Sequence, residues 1–188
     1  LGSILTERLL AAGHPVTVLD NLLYGQQTLL HLCAHPRFDF VCGDARDRGL
    51  IRRLAARADA VIPLAAIVGA PACDREPELA RTTNLEAVRL LVEELSPRQL
   101  LLIPTTNSGY GTRSGDLHCT EESPLEPISL YGRTKVQAEA AALQRERTIS
   151  LRLATVFGMS PRLRLDLLVN HFVHAAVTED CLVLFEEH

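Results

Sequence analysis

The first half of the chain alternates between two spacings of apolar residues. Residues 3–13 repeat apolar side chains at helical spacing, and Gly13 marks the end of that pattern. Asp47 stands where a helix N-cap is expected. Between the helical stretches lie short apolar runs of strand length. The pattern predicts helices over 3–13, 26–34 and 47–57, and strands over 15–19, 38–42 and 58–64.

The second half continues this alternation. Its pattern predicts helices over 74–96, 131–147 and 163–177, and strands over 100–104, 148–153 and 181–185. Residues 105–130 contain several glycines and prolines and form a loop longer than the usual connection, and such loops are often functional. Strands that alternate with helices predict an α/β protein with a parallel sheet and helices on both faces.

Composition narrows the possible functions. The 188 residues are enough for one domain with a real core, and the net charge of −4 disfavours a nucleic-acid or membrane-surface role. No apolar run approaches the ~20 residues of a membrane span. The five cysteines are scattered without a C-x-x-C pair, which predicts reduced thiols in a cytoplasmic protein. The seven histidines form no ligand cluster, so we predict no metal site.

Tyr131 and Lys135 are the first candidates for chemistry. They stand four residues apart, which places both side chains on one face of the predicted helix. A tyrosine can take a proton from a hydroxyl group if its pKa falls well below ~10, and a nearby ammonium lowers that pKa. Lys135 is the only lysine in a chain with many arginines, and arginine would give a different geometry. The pair therefore favours acid–base chemistry over two unrelated surface residues.

Thr106 follows the predicted strand 100–104, together with Asn107 and Ser108. In an open α/β sheet, ligands bind beyond the carboxyl ends of the strands. A hydroxyl group there can hydrogen-bond a reacting oxygen. The same residues also suit an ordinary polar turn, so both interpretations stay open at this point.

Three further residues fit a dinucleotide site. Gly2 opens the first predicted helix, where a dinucleotide-binding turn has its last glycine. Asp20 ends the next strand, 18 residues after Gly2, where an acidic side chain can hold the hydroxyls of an adenosine ribose. Its charge would repel a 2′-phosphate, which favours NAD over NADP. Asp44 ends the following strand and could lie near the adenine. An ordinary Asp-Asn turn at Asp20 is the alternative.

In this order the motifs resemble the extended short-chain dehydrogenase/reductase family, nearest to its NAD-dependent nucleotide-sugar epimerases and dehydratases. The resemblance covers essentially the whole chain. The residues that carry it are Gly2, Asp20, Asp44, Leu64-Ala65-Ala66, Asn84, Thr106, Tyr131 with Lys135, and Arg152–Gly158. It implies a Rossmann-like doubly wound parallel sheet that lacks its first strand and most of the C-terminal substrate domain. Residues 1–160 would then form the NAD-binding domain, and 161–188 the start of the substrate-binding region.

The resemblance also implies individual roles. Gly2 would be the last glycine of a G-x-x-G-x-x-G turn, Asp20 would bind the adenosine ribose, and Asp44 the adenine region. Asn84 would lie on the long helix behind the site. The cofactor would be lined by Leu64, Ala65 and Ala66 and contacted by Tyr131 and Lys135. Thr106, Tyr131 and Lys135 would form the catalytic triad, in which Tyr131 deprotonates a sugar hydroxyl while hydride passes to NAD. The resulting keto sugar is then reduced again.

Two departures from the family pattern bear on the reaction. Dehydratases of the family have carboxylates after the catalytic threonine, and Asn107 and Ser108 stand there instead. This favours an epimerase. Epimerases place an asparagine in an R-x-x-N segment that holds the nucleotide phosphates, and Thr155 occupies that position. Asn170, on the following helix, is a second candidate for phosphate contact.

The sequence therefore predicts an NAD-dependent epimerase of a nucleotide-activated sugar. The alternatives are a dehydratase, decarboxylase or reductase on the same scaffold, or a non-catalytic NAD(H)-binding protein. The family implies a homodimer through the helices 74–96 and 131–147. Because both ends look cut, we expect these 188 residues alone to be neither a competent enzyme nor a stable NAD binder. We also expect either a gap in the sheet or a strand from elsewhere that fills it.

Overall fold

The computed structural model describes residues 1–112 and 118–184. Helices and strands alternate along these residues, which confirms the α/β prediction. The first half contains α1 (Gly2–Ala11), β1 (Val16–Asp20), β2 (Phe38–Cys42), α2 (Arg48–Ala55) and β3 (Ala60–Val61). The second half contains α3 (Ala70–Arg75), α4 (Pro77–Arg81), α5 (Ala87–Glu94), β4 (Leu100–Thr106), α6 (Leu130–Ala142), β5 (Thr148–Leu153) and α7 (Leu168–Thr178).

The described strands form two sheets. β1 pairs with β2, and a second sheet has the order β3-β4-β5. β4 pairs in parallel with both neighbours, and its register aligns Leu101 with Thr148 and Thr106 with Leu153. In the strand order 3-2-1-4-5-6 of a Rossmann sheet, the positions of β1 and β3 flank the first strand. Among the described residues no pairing joins β1 to β3, which agrees with the gap that the sequence predicts.

Two compact units make up the chain. The first combines Leu1–Val18, Leu22–Phe40 and the described part of 155–188, and the second combines Leu19–Asn21 with Val41–Ala154. The second unit contains the main core. There Leu101 and Ile103 of β4 are fully buried with apolar side chains of α2, α5 and α6. Helices thus cover the apolar strand that runs toward Thr106.

Two helix ends confirm signals that were readable from the sequence. Gly13 follows α1 with a φ of 88°, a backbone conformation that favours glycine. The amides of Gly13 and His14 donate to the carbonyls of Leu10 and Leu9 at 2.9 and 3.0 Å, which satisfies the last turn of the helix. Asp47 caps α2, because its side chain accepts a hydrogen bond from the amide of Leu50 at 3.0 Å.

Two predictions in the first half are wrong in extent. The helix expected over 26–34 is a single 3₁₀ turn at Leu30–Leu32, in which only Leu32 is buried. A short segment that buries so little gains too little from packing to hold a longer helix. The strand expected over 58–64 is limited to Ala60–Val61. Pro63 has no amide proton to donate to a neighbouring strand, so the pairing ends before it.

The helix predicted over 74–96 is divided into four parts. α3 ends at Arg75, and Pro77 opens α4, since proline suits the first turn of a helix but not its interior. A π turn over Thr82–Glu86 then connects α4 to α5. Such turns are rare and often occur at functional sites. This one contains Asn84.

The remaining differences concern ends of elements. α6 stops at Ala142 instead of 147, where Arg145 turns back to donate to the carbonyls of Leu95, Ser96 and Gln99. The helix predicted over 163–177 begins only at Leu168, because Asn170 donates to the carbonyl of Arg164 at 2.9 Å and holds the preceding residues in a turn. β4 continues two residues past 104. Residues 181–184 form no strand, and Phe185 lies outside the described residues.

The described part of the chain contains no membrane-spanning helix, no metal-binding group of side chains and no paired cysteines. None of its helices is long and apolar enough to cross a membrane. Among the same residues, no group of three or more histidine, cysteine, aspartate and glutamate side chains could hold a metal ion. Cys73 is buried, and the other cysteines are exposed free thiols.

Candidate active site

The amino end of α6 positions the Tyr131/Lys135 pair. Ser129 caps the helix by accepting a hydrogen bond from the amide of Gly132 at 3.0 Å. Tyr131 lies half-buried in the first turn and packs against a small cluster that includes Ile67 and Cys73. Lys135 follows one turn later, so the two side chains share a face of the helix. This agrees with the spacing prediction.

Lys135 is almost completely buried, with 6% of its surface exposed. Burial lowers the pKa of its ammonium to about 8, and the negative charge of Glu139 opposes that change. Among the described residues Lys135 makes no hydrogen bond or ion pair. A lysine this buried with no hydrogen-bond or ion-pair partner is uncommon, and groups whose pKa is shifted by burial are concentrated at functional sites. Lys135 is therefore a candidate for contact with a bound molecule.

The turn that follows β4 lies directly against α6. A Cβ atom added at Gly132 would be 3.1 Å from the carbonyl oxygen of Ser108, and one added at Gly109 would be 2.9 Å from Cγ2 of Val136. Glycine at both positions permits this close approach. Thr106 lies at the start of the turn, buried, with its hydroxyl accepting from the amide of Ser108 at 3.1 Å. Its hydroxyl proton can still be donated to a further acceptor.

Asn84 joins the segment after β3 to α6. It is 1% exposed, its Oδ1 accepts from the amide of Ile67 at 2.8 Å, and its Nδ2 donates to the carbonyl of Ile67 at 3.0 Å. A weaker contact of 3.4 Å connects Nδ2 to the hydroxyl of Thr134, next to Lys135. The side chain thus replaces a strand partner for Ile67 and ties that segment to the Tyr131/Lys135 helix.

Asp20 and Asp44 are brought together at the ends of β1 and β2, because the carbonyl of Asp20 accepts from the amide of Gly43 at 3.1 Å. The Asp44 carboxylate accepts from the backbone amide and from the guanidinium of Arg46 at 2.6 to 2.9 Å. The hydrogen bonds from Arg46 lower the pKa of Asp44. These residues belong to the same compact unit as Lys135.

The other predicted site residues have varied surroundings. Leu64, Ala65 and Ala66 lie in the irregular segment after β3, with Ala65 exposed and the other two half-buried. Asn107 and Ser108 are exposed on the turn after Thr106. The other compact unit contains Gly2, Thr155 and Asn170.

Within that unit, Gly2 opens α1 and Thr155 is exposed. Both polar atoms of the Asn170 side-chain amide make hydrogen bonds to the backbone. Its Oδ1 accepts from the amide of Gly158, and its Nδ2 donates to the carbonyl of Arg164, both at 2.9 Å.

A polar network beside Lys135 was not predicted from the sequence. Glu139 is 4% exposed and accepts hydrogen bonds from Ser150 at 2.6 Å and from Nε of Arg152 at 3.0 Å. Arg152 also donates to the Tyr110 hydroxyl at 3.1 Å. The available signal was the position of Glu139, four residues after Lys135, which extends the Tyr131/Lys135 face by one turn.

Comparisons with known proteins identify the family of this chain. The NAD dependent epimerase/dehydratase family matches residues 1–185, so the chain belongs to that family. It is 32% identical over 144 residues to a UDP-glucose 4-epimerase from Mycolicibacterium smegmatis, a match that covers 74% of this chain and 46% of that protein. The chain thus spans about half the length of the curated relatives that it matches.

Solved structures give the same assignment of family and fold. A dTDP-glucose 4,6-dehydratase from Streptomyces venezuelae, with NAD bound, matches with a TM-score of 0.78 and 27% identity over 95% of this chain and 59% of that one. A UDP-glucuronic acid 4-epimerase from Bacillus cereus, in complex with UDP-glucuronic acid and NAD, matches with a TM-score of 0.79 and 25% identity over 94% and 59%. The fold is the Rossmann-like doubly wound type that the sequence predicts.

Proposed function

We propose that the whole protein is an NAD-dependent epimerase that acts on a nucleotide-activated sugar. The observation that carries this proposal is the largely buried Lys135 side chain, which has no hydrogen-bond or ion-pair partner among the described residues and lies one turn from Tyr131. Acid–base chemistry on a hydroxyl group requires a base, and a neighbouring ammonium lets Tyr131 serve as one by lowering its pKa. A purely structural lysine would be paired or exposed.

In this proposal three side chains handle the proton of the sugar hydroxyl. Tyr131 removes it as the base, and the Lys135 ammonium stabilises the phenolate that Tyr131 presents. Thr106 donates a hydrogen bond to the same sugar oxygen, since its hydroxyl accepts from Ser108 and keeps its proton for a second partner. When bound, NAD takes up and returns a hydride.

The chain's own residues fit NAD. Asp20 lies at the end of β1, where a carboxylate can accept hydrogen bonds from both ribose hydroxyls. The segment of Leu64, Ala65 and Ala66 offers small side chains for close approach, and the Lys135 ammonium can donate to the nicotinamide ribose. Asp44, fixed by Arg46, is assigned to the adenine region, and Gly2 to the pyrophosphate-binding turn.

Asp20 should determine the choice between NAD and NADP. Replacing its carboxylate in D20A removes both the acceptor of the ribose hydroxyls and the charge that repels a 2′-phosphate. We expect D20A to bind NAD more weakly. We also expect the ratio of NAD affinity to NADP affinity to fall by about tenfold or more. Titration of both cofactors against the whole protein measures this. Tighter binding of NADP than NAD by the unmodified protein would refute the assignment.

An epimerase is favoured over a dehydratase by the two residues after Thr106. Asn107 and Ser108 are exposed there, and neither can serve as the carboxylic acid or carboxylate that elimination of water needs. Together with Thr155 and Asn170, they are our candidates for contact with the sugar nucleotide. Incubation of the whole protein with UDP-, dTDP-, GDP- and CDP-sugars should yield an epimer. A 4-keto-6-deoxy product instead would establish the dehydratase.

We propose a homodimer in the cytoplasm. Ala140 and Leu143 of the 131–147 segment are exposed, so they are not used to cover the sheet of their own chain and can pack against the same helices of a second copy. The cytoplasmic assignment relies on the scattered free cysteines. The mass of the whole protein in solution tests the dimer, and the mass of a single protomer would contradict it.

A further inference from the structure

Glu139 belongs to a buried polar network that connects α6 to β5. Besides Ser150, its carboxylate accepts from Nε of Arg152 with both oxygens, at 3.0 and 3.2 Å. The side chains of Glu139 and Arg152 are only 5% and 17% exposed, which distinguishes this pair from the ion pairs on the protein surface. Arg152 also stacks over the ring of Tyr110, with its guanidinium carbon 5.3 Å from the ring centroid.

The network is placed next to the candidate active site. Glu139 is one helical turn after Lys135 and two turns after Tyr131, so the three side chains follow one face of α6. The ion pair that Glu139 makes is with Arg152, yet its charge also acts on the Lys135 ammonium. Tyr110 belongs to the turn that begins after Thr106, so the network also contacts the segment that carries the proposed hydrogen-bond donor.

We propose that Glu139 is a positioning residue for Lys135, held by Arg152 and Ser150 so that its carboxylate keeps the neighbouring buried ammonium protonated. The proposal rests on the function assigned above, because a protonated Lys135 is what stabilises the Tyr131 phenolate. Replacing Glu139 alone by an apolar residue would leave the largely buried Arg152 guanidinium unpaired, so the pair itself already needs this charge. The effect on Lys135 therefore has to be measured separately from the stability of the fold. Burial favours the neutral amine of Lys135, so a negative charge one helical turn away is needed to keep this amine protonated.

The other titratable groups around α6 act differently. Tyr131 shares the helix face, and Cys73 of α3 lies in the apolar cluster beside it, where burial raises the pKa of the thiol and keeps it neutral. Tyr110 is hydrogen-bonded to Arg152. On β5, Arg152 carries a positive charge, and we expect its removal to change the pKa of Lys135 in the direction opposite to removal of the Glu139 charge. Of these groups, Glu139 supplies the negative charge that raises the pKa of the Lys135 ammonium.

The direct test measures the pKa of Lys135 in the whole protein. The rate at which acetic anhydride labels the amine, followed against pH by peptide mapping, reports that pKa without any turnover. In E139Q the pKa of Lys135 should fall below its value in the unmodified protein. E94Q is the matched control, since Glu94 is a similarly covered glutamate with two arginine partners on α2, and it should leave Lys135 unchanged.

A second variant separates charge from disruption of the fold. R152Q removes the positive charge and leaves Glu139 hydrogen-bonded to Ser150, so the pKa of Lys135 should rise. Loosened packing would instead move Lys135 in the same direction in E139Q and R152Q. Opposite changes support the proposal, whereas equal or absent changes overturn it. If E139Q does not fold, R152Q and E139D replace it in the test. E139D keeps the negative charge, so the pKa of Lys135 should stay close to its value in the unmodified protein, whereas in R152Q it should rise.

The activity profile then connects the charge to the reaction. Alkaline loss of kcat/KM should begin at lower pH in E139Q, so that its activity relative to the unmodified protein falls by about three- to tenfold between pH 6.5 and pH 8.5. A uniform loss at every pH would contradict the positioning role. Because the labelling needs no substrate, it can succeed or fail independently of the proposed epimerase reaction.

Discussion

Replacing Tyr131 with phenylalanine should reduce the turnover of the whole protein by about 10²- to 10⁴-fold. The variant lacks only the phenolic oxygen, which in our account takes the proton from the sugar hydroxyl. The ring that packs against the apolar cluster beside α3 is retained, so the fold should persist. The kcat of purified protein with its sugar nucleotide, and the binding of NAD to the same sample, are the measurements.

Tyr24 provides the matched control for this change. It is 51% exposed, and its ring lies 4.0 Å from the guanidinium carbon of Arg162, a contact that does not depend on the hydroxyl group. Y24F should therefore keep nearly normal turnover and thermal stability. Near-normal turnover in Y131F, with NAD bound, would mean that another group removes the proton.

Replacing Asn84 with alanine should lower the free energy of unfolding by about 2–5 kcal/mol, since each buried polar group left without a partner costs ~1–3 kcal/mol. The amide and the carbonyl of Ile67 would both lose their partner, and the contact to Thr134 would be lost as well. Denaturant unfolding of the two proteins, compared at equal slope, measures the difference. A loss below 1 kcal/mol would show that water or another residue replaces the side chain.

Asn170 is the control for Asn84. It also bridges a backbone amide and a backbone carbonyl, those of Gly158 and Arg164, but in a more exposed place. Water can hydrate those groups when the side chain is removed, so N170A should cost less than about 1 kcal/mol. An equal loss of unfolding free energy in N84A and N170A would mean that burial does not determine how much such an asparagine side chain stabilises the fold.

The bounds of strands that depend only on the local sequence could be predicted. The strands over 38–42 and 148–153 have the predicted bounds, because short apolar runs between turn residues leave few alternatives. The division of the 74–96 segment was less accessible, although Pro77 indicates one break. The π turn around Asn84 is stabilised by hydrogen bonds to Ile67, a residue 17 positions earlier in the chain. Periodicity carries no information about such a partner.

The same distinction applies to the candidate site. Tyr131 and Lys135 could be predicted as candidates because helical spacing alone brings them together, and Thr106 because it follows the predicted strand 100–104. The burial of Lys135 could not be predicted, since it arises from packing among α6, the turn after β4 and the π turn. Glu139 was missed for a related reason: it lies on α6, and its arginine partner lies 13 residues further on, in strand β5. Its position on the helix face was the only local sign.

The most direct test follows the near-ultraviolet absorbance of the nicotinamide while the whole protein, with NAD bound, turns over a nucleotide sugar. Our account predicts that reduced cofactor appears transiently when the sugar is added and declines as the two epimers reach equilibrium, and that Y131F gives no such signal at a comparable rate. Formation of the epimer without any reduction of the cofactor, or equally fast reduction in Y131F, would contradict it.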